Sequence, residues 1–114
     1  MACGREQTRS AEEQALYDQG RMTFNRLCAS CHEVRTRVNL TGPYLVAVEG
    51  RRAGTVRGFN YSTAMREFGL KWDTDNLDAF LADPRTTIPG TNMAIEPIAD
   101  PDERAAIIYY VTQR

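Results

Sequence analysis

Small and apolar residues recur at helical spacing near the start of the chain. From Leu16 onwards they return every three or four positions, which places them on one face of a helix. The capping-box pattern Ser10-x-x-Glu13 precedes them and satisfies the first free backbone amides of a helix. The pattern therefore predicts a helix that begins at about Ala11 and ends near Cys28.

A second strong helix signal lies near the end of the chain. The run from Asp100 to Glu103 combines an N-cap, a proline at the first helical position and an acidic first turn. Ile107, Ile108 and Val111 then give an apolar face. These positions predict a final helix that packs on the rest of the fold.

The middle of the chain predicts two short helices joined by loops. One covers about Ser62 to Phe68, capped by its serine and stopped by Gly69, and the other follows Asp73 and ends before Pro84. Residues 39–57 are rich in Gly and Arg, which is typical of loops. No run alternates between apolar and polar residues, so we predict an all-α fold.

Composition narrows the possible functions. The chain has 114 residues, enough for one domain, and a formal net charge of −1. Lys71 is its sole lysine among fourteen basic residues, and no basic stripe is interleaved with aromatic residues, so we expect no nucleic-acid partner. No stretch is long and apolar enough to predict a transmembrane helix.

The pentapeptide from Cys28 to His32 reads C-x-x-C-H, the pattern that attaches a c-type haem. Cys28 and Cys31 would each form a thioether, and the imidazole of His32 would reach the iron. A redox dithiol would need a βαβ context, which the sequence lacks. A zinc site would need two more soft ligands, yet His32 is the only histidine and Cys3 lies 25 positions before Cys28.

A second axial ligand is needed on the other face of a six-coordinate haem. Met93 follows the turn formed by Pro89 and Gly90, which presents its thioether from a loop rather than from a helix face. A lone methionine is otherwise most often core filler. Met65 and Met22 are the alternative ligands, and Met22 is the less favourable because it closely precedes the haem cysteines.

The sequence resembles class I cytochrome c, close to the mitochondrial type, from about Gly20 to Val111. The matching motifs, in chain order, are Gly20-x-x-x-Phe24, Cys28 to His32, Thr41-Gly42-Pro43, Gly50-Arg51, Gly58-Phe59-Asn60-Tyr61, Trp72, Ile88-Pro89-Gly90-Thr91-x-Met93, and Glu103-Arg104 leading to Tyr110. The resemblance implies helices and loops wrapped around one covalently bound haem c, with residues 11–114 as the cytochrome domain.

The resemblance also implies roles around the haem. The carbonyl of Pro43 would accept a hydrogen bond from His32, while Arg51, Tyr61 and Trp72 would surround one propionate. Arg52 and Arg57 are expected to face solvent. Gly20 and Phe24 would contact Ile107 and Tyr110 where the first and last helices pack.

Three differences from the family pattern concern the Met93 side of the haem and its exposed edge. Phe80 replaces the usual tyrosine, and Met65 replaces a common asparagine. Thr91 is then the one obvious polar side chain left near Met93. We therefore expect a pocket without an ordered water, since a buried water needs several polar partners. The ring of lysines that surrounds the haem edge in the family is almost absent.

The function implied is one-electron transfer between ferric and ferrous haem, with no catalytic residues. Expected partners are respiratory or photosynthetic membrane complexes, such as a cytochrome bc1-type complex, a terminal oxidase or a reaction centre, and we expect a monomer. The alternatives are a haem-based gas sensor or peroxidase with a labile sixth ligand, and a cytochrome domain cut from a larger oxidase or dehydrogenase.

Residues 1–10 are expected to form an N-terminal extension or tether. Ala2-Cys3-Gly4 resembles the end of a bacterial lipoprotein signal, which suggests a lipid anchor at Cys3, although an incidental free thiol on a frayed terminus is an equal alternative. The expected location is the periplasm, with anchoring to the membrane through the N-terminus. The mitochondrial intermembrane space is the alternative.

Overall fold

The computed structural model describes residues 8–93 and 95–113, and this part of the chain contains five helices. They are α1 (Ala11–Leu27), α2 (Thr63–Glu67), α3 (Thr74–Ala82), α4 (Pro84–Thr87) and α5 (Pro101–Thr112). Extended pairing among the described residues is limited to one antiparallel bridge between Arg52 and Lys71. The predicted all-α fold is confirmed, and Cys3 lies outside the described residues. None of the described helices has the length and apolar character required to cross a bilayer.

Helix α1 begins where the sequence predicts, and its start is well capped. The amide of Glu13 donates to Ser10 Oγ at 3.0 Å, and the amide of Ser10 donates to the Glu13 carboxylate at 2.8 Å. Arg9 also stacks over the ring of Tyr17 at 3.8 Å. Because both capping bonds are made, the first turn of α1 has partners for amides that the helix itself leaves free.

Helices α1 and α5 cross at Gly20, where their backbones approach very closely. A Cβ atom placed there would overlap the carbonyl of Ala106 and lie 2.8 Å from the Cβ of Tyr110. The Tyr110 ring packs on Phe24 at 5.5 Å between centroids and on Tyr17 at 5.0 Å. The predicted contacts with Tyr110 are therefore present. The backbone that meets Gly20 belongs to Ala106, one residue before the predicted Ile107.

Helices α3 and α4 follow each other with only Asp83 between them. Helix α3 is capped by Asp73, as predicted, and it ends at Ala82, before Pro84. Helix α4 was not predicted from the sequence. Its signal is local, since the Asp83 carboxylate accepts hydrogen bonds from the amide and hydroxyl of Thr86 and proline occupies the first helical position.

One hydrophobic core joins the helices to the loops. Its members are buried and come from both helices and loops, including Phe24, Val34, Val48, Trp72, Phe80, Ile88, Ile98, Ile107 and Tyr110. Loop residues and helix residues therefore share a single apolar interior, so the position of each loop depends on the helix packing.

Replacing Gly20 with alanine should weaken the packing of α1 on α5. The added methyl group has no room against the Ala106 backbone, so we expect the free energy of unfolding to fall by about 1–3 kcal/mol, as overpacking does. Chemical denaturation measures this loss. The matched control is Gln19→Ala on the exposed neighbouring position, and equal stabilities for the two variants would contradict the close approach.

Candidate functional site

The end of α1 carries the C-x-x-C-H pentapeptide into a tight turn. Cys28 is the C-cap, and its amide donates to the carbonyl of Phe24 at 2.7 Å. The amides of Cys31 and His32 both donate to the carbonyl of Cys28, at 3.1 and 3.0 Å. These bonds fix the two sulfur-bearing residues and the imidazole on one turn, directly attached to a long, well-packed helix.

The imidazole of His32 is oriented by the segment from Gly42 to Pro43. His32 Nδ1 lies 2.7 Å from the carbonyl oxygen of Pro43, the contact that the family resemblance implies. A Cβ on Gly42 would overlap the ring, with Nδ1 only 2.8 Å away, so the glycine backbone lies directly against the imidazole. The amide of Gly42 donates to the Cys31 carbonyl at 2.7 Å and closes this clamp.

This contact determines where the proton of His32 resides. A carbonyl only accepts hydrogen bonds, so Nδ1 must be the donor and Nε2 carries the free lone pair of the neutral ring. Burial lowers the pKa of His32, the bond to Pro43 opposes this, and the positive charge of Arg51 lowers it further. The ring is therefore kept neutral, in the form that binds a metal through Nε2.

The two cysteines of the motif are both free thiols. Cys28 is buried, and this burial raises its pKa to about 11, with a further increase from the nearby Cys31. Cys31 is half-buried, and its sulfur lies 3.7 Å from Ser30 Oγ. Two reduced sulfurs on the same turn as a neutral imidazole are the donor set that covalent haem attachment requires.

Met93 lies in a loop that is held by local hydrogen bonds. Its amide donates to Thr91 Oγ1 at 3.2 Å, and the amide of Thr91 donates to the carbonyl of Ile88 at 3.0 Å. Gly90 has a φ of 95°, and a Cβ there would come within 3.2 Å of Ala64 on α2. The loop that carries Met93 therefore contacts the short helix that contains Met65.

The three candidate methionines occupy different environments. Met93 and Met65 are both partly buried and packed against the hydrophobic core. Met22, on α1, is 66% exposed, which leaves its thioether at the surface. The structure thus disfavours Met22 as a ligand and keeps Met65 in the same region as the Met93 loop.

Aromatic side chains form a buried cluster around Trp72. The ring of Trp72 packs on Phe80 at 5.4 Å and on Phe68 at 5.7 Å between centroids. Trp72 and Phe80 are both buried, at 7% and 5% exposure. Their large apolar surfaces suit a flat, apolar cofactor.

Arg51 is half-buried and is surrounded by backbone carbonyls. Its guanidinium donates to the carbonyls of Tyr44 and Val46 at 3.0 and 3.1 Å, and burial lowers its pKa. The wrapping of the loop around it places Ala47 at a φ of 59°, a conformation that costs a non-glycine residue on the order of 1 kcal/mol. The backbone carbonyl of Arg51 accepts a hydrogen bond from the amide of Trp72 at 2.8 Å.

Tyr61 lies close enough to Arg51 for the charge of the guanidinium to act on its hydroxyl. Its hydroxyl accepts a hydrogen bond from the amide of Val56 at 3.0 Å, and burial raises its pKa despite that bond and the charge of Arg51. Arg52 and Arg57 are exposed, as predicted. The described residues contain three ion pairs, and none of them includes Arg51, Arg52 or Arg57.

The residues present fit a covalently bound haem. The residues present are a neutral imidazole with a free Nε2, two free thiols on the same turn, a loop-borne thioether and a cluster of buried aromatic rings. The sequence did not predict the role of Gly42. Its only signal was its place in the Thr-Gly-Pro motif, because the contact that requires glycine joins two segments of the folded chain.

Comparisons with known proteins agree with this geometry. The chain is 38% identical over 97 residues to cytochrome c type-1 of Ascaris suum, covering 85% of this chain and 87% of that protein. It is 44% identical over 85 residues to cytochrome c2 iso-2 of Magnetospirillum molischianum, covering 75% and 88%. No family model matches the chain.

A solved structure shows the same similarity in three dimensions. Cytochrome cH from Methylobacterium extorquens superposes with a TM-score of 0.77 at 36% sequence identity. The match covers 83% of this chain and 95% of that one.

Replacing Gly42 with alanine should displace the His32 ring. The methyl group would occupy the space of the imidazole, so we expect the free energy of unfolding to fall by about 1–3 kcal/mol. Denaturant unfolding provides the measurement, and Thr41→Ala at the exposed neighbouring position is the control. A Gly42→Ala protein as stable as the control would show that the ring is not clamped there.

Proposed function

The chain belongs to the class I cytochrome c family, and we propose that His32 and Met93 are the two axial ligands of its haem iron. The protein is a one-electron carrier with one covalently attached haem c, and it is not an enzyme. The haem supplies the change between ferric and ferrous iron. The relatives give no support to a gas sensor, a peroxidase or a fragment of a larger enzyme.

The observation that carries the assignment of His32 is the contact between its Nδ1 and the carbonyl of Pro43 at 2.7 Å. It leaves Nε2 as the metal-binding atom and stops the ring from rotating, which limits reorganisation when the oxidation state changes. Cys28 and Cys31, on the same turn, are proposed to form the two thioether links. The soft sulfur of Met93 would favour the ferrous state and raise the reduction potential.

Arg51, Tyr61 and Trp72 are proposed to surround one haem propionate. The half-buried guanidinium of Arg51 has no carboxylate partner among the described residues, so a propionate would supply the missing negative charge. The backbone bond between Trp72 and Arg51 keeps the two residues adjacent. A buried carboxylate needs such donors to remain ionised.

Phe80, Met65 and Thr91 are proposed to line the haem on the Met93 side. Phe80 and Met65 offer no hydrogen-bonding hydroxyl or amide in their side chains. Thr91 Oγ1 already accepts the amide of Met93, so the hydroxyl stabilises the loop itself. This arrangement favours a dry environment for the thioether, because a buried water needs two to four polar partners.

The protein exchanges electrons with redox partner complexes. We propose a cytochrome bc1-type complex, a terminal oxidase or a reaction centre as partners, and a monomeric carrier. A depression of about 380 Å³ brings Leu27 and Ile95 together with Pro97 and Ala99, and Glu96 and Glu103 also line it. Leu27 remains 40% exposed, so this apolar surface offers a docking site that does not depend on lysines.

We propose the bacterial periplasm as the location of the protein. Bacterial haem c is attached outside the cytoplasm, and several relatives are bacterial cytochromes c2. The mitochondrial intermembrane space is the alternative, since nematode cytochromes are similar to the same degree. In the bacterial periplasm, residues 1–10 would form a tether acylated at Cys3. Mass spectrometry of the native protein tests this, and an unmodified Cys3 would exclude the anchor.

Replacing Met93 with alanine should remove the sixth iron ligand. We expect the potential to fall by on the order of 0.1 V, a fraction of the roughly 0.8 V over which axial ligands set haem potentials, and carbon monoxide to bind. Redox titration and ferrous spectra with carbon monoxide measure both effects. Met65→Ala is the matched control. If Met65→Ala gives these changes and Met93→Ala does not, Met65 is the ligand.

A positive charge in the apolar depression should slow electron transfer to the partner. We expect Leu27→Lys to lower the second-order transfer rate by roughly tenfold, because docking of the partner would then remove water from the new ammonium group. The control is Leu70→Lys. Leu70 is 50% exposed, but it does not line the depression, and its carbonyl accepts a hydrogen bond from the amide of Ala53 in another loop. Stopped-flow rates with a membrane oxidase that fall equally in both variants would contradict docking at this surface.

A further inference from the structure

Arg104 joins three parts of the chain, although it takes no part in the site described above. It lies in α5, close to the start of the helix, and its side chain is 13% exposed. Its Nε donates to the carboxylate of Asp78 on α3 at 2.7 Å. Its Nη1 donates to the backbone carbonyls of Ile98 and Ala99, at 2.7 and 3.1 Å.

The backbone that Arg104 holds is the return path of the Met93 loop. Ile98 is 6% exposed, and its amide donates to the carbonyl of Leu81 at 3.0 Å. The peptide groups on the two sides of Ile98 are thus held by different helices. The amide is bound by the end of α3, and the carbonyl is bound by the Arg104 side chain from α5.

The other end of the loop is fixed at Ile88. This residue is 2% exposed, and its amide donates to the carbonyl of Pro84 at 2.9 Å. Met93 lies midway, five positions from Ile88 and five from Ile98. Five residues span at most roughly 17 Å when fully extended, so the two fixed ends limit the positions that the backbone of Met93 can take.

We propose that Arg104 is a positioning residue for the Met93 ligand. By holding the carbonyls of Ile98 and Ala99, it closes the loop and keeps the thioether at its working position. This inference rests on the proposed ligation by Met93. A guanidinium suits the task because its fixed fork reaches a carboxylate and two carbonyls at once, which a single ammonium cannot do with the same geometry.

Two conservative variants separate the role in positioning from a general contribution to stability. Arg104→Lys keeps the positive charge but loses the fork that binds the two carbonyls. Asp78→Asn removes the ion pair but retains an oxygen that accepts from Arg104 Nε, so the carbonyl bonds remain. If Arg104 acts on the loop, only the lysine variant releases Met93.

The probe is potassium cyanide added to the ferric holoprotein, because cyanide reaches the iron only after the methionine leaves. We expect Arg104→Lys to bind cyanide about tenfold faster than the unmodified protein, the factor expected for losing a hydrogen bond to a charged group. Asp78→Asn should stay within about threefold of it. The reduction potential should fall in the lysine variant alone, while denaturant unfolding records the global stability of both.

The proposal is overturned if Asp78→Asn accelerates cyanide binding as much as Arg104→Lys, or if neither variant does. Its failure is distinguishable from failure of the ligand assignment. If the unmodified ferric protein lacks the long-wavelength absorption of methionine–iron ligation, or keeps it in Met93→Ala, the assignment itself is wrong. If Met93→Ala alone abolishes that absorption and Arg104→Lys changes nothing, only the role of Arg104 is rejected.

Hydrogen exchange of the unmodified holoprotein tests the same idea without a variant. The amide of Ile98 should exchange nearly as slowly as the buried amides of α5, since both sides of this residue are held. The amide of Thr91, inside the loop, should exchange faster. An Ile98 amide that exchanges as fast as that of Thr91 would show that the end of the loop is free, and this would also overturn the proposal.

Discussion

The close crossing of α1 and α5 at Gly20 is the constraint on which the rest of the structure depends. Because no side chain separates the two backbones there, the helices form a fixed pair held by the rings of Tyr17, Phe24 and Tyr110. The end of α1 positions the pentapeptide that begins at Cys28. The start of α5 positions Arg104. One packing contact between helices therefore sets the location of segments that we propose to serve opposite sides of the haem.

The site itself depends on loops that have little regular structure. A loop can orient a ligand only when its backbone polar groups are satisfied, and here other loop residues satisfy them. Pro43 accepts from His32, Thr91 accepts from the Met93 amide, and Arg51 donates to two carbonyls of its own loop. The cost of ordering these loops is offset by hydrogen bonds and by their share in the common core.

Local signals in the sequence were sufficient to predict four of the described helices. The caps at Ser10, Ser62, Asp73 and Asp100 act within a few residues, so a pattern reveals them directly. The signal for α4 at Asp83 was equally local and was missed because it directly follows the end of α3. The family resemblance supplied the contact between His32 and the carbonyl of Pro43.

The close fit of Gly42 and the bonds of Arg104 could not be predicted in this way. Each contact joins segments that only the folded chain brings together. Gly42 meets the His32 ring, and Arg104 in α5 binds Asp78, which is 26 residues before it in the sequence. No local pattern encodes which carbonyl a buried guanidinium will meet. Such contacts are decided by tertiary packing, which the spacing of residue types does not specify.

Among the residues that the structure describes, the arginines of the loops form no ion pair, and this has a consequence for how the protein approaches a partner. Residues 26–71 contain eight Lys or Arg and three Asp or Glu, whereas residues 72–114 contain three and eight. The near-zero net charge therefore conceals an uneven distribution of charge between these two segments of the chain. A charged partner would rotate such a molecule before contact without attracting it strongly, so charge would select the orientation and apolar contact the affinity.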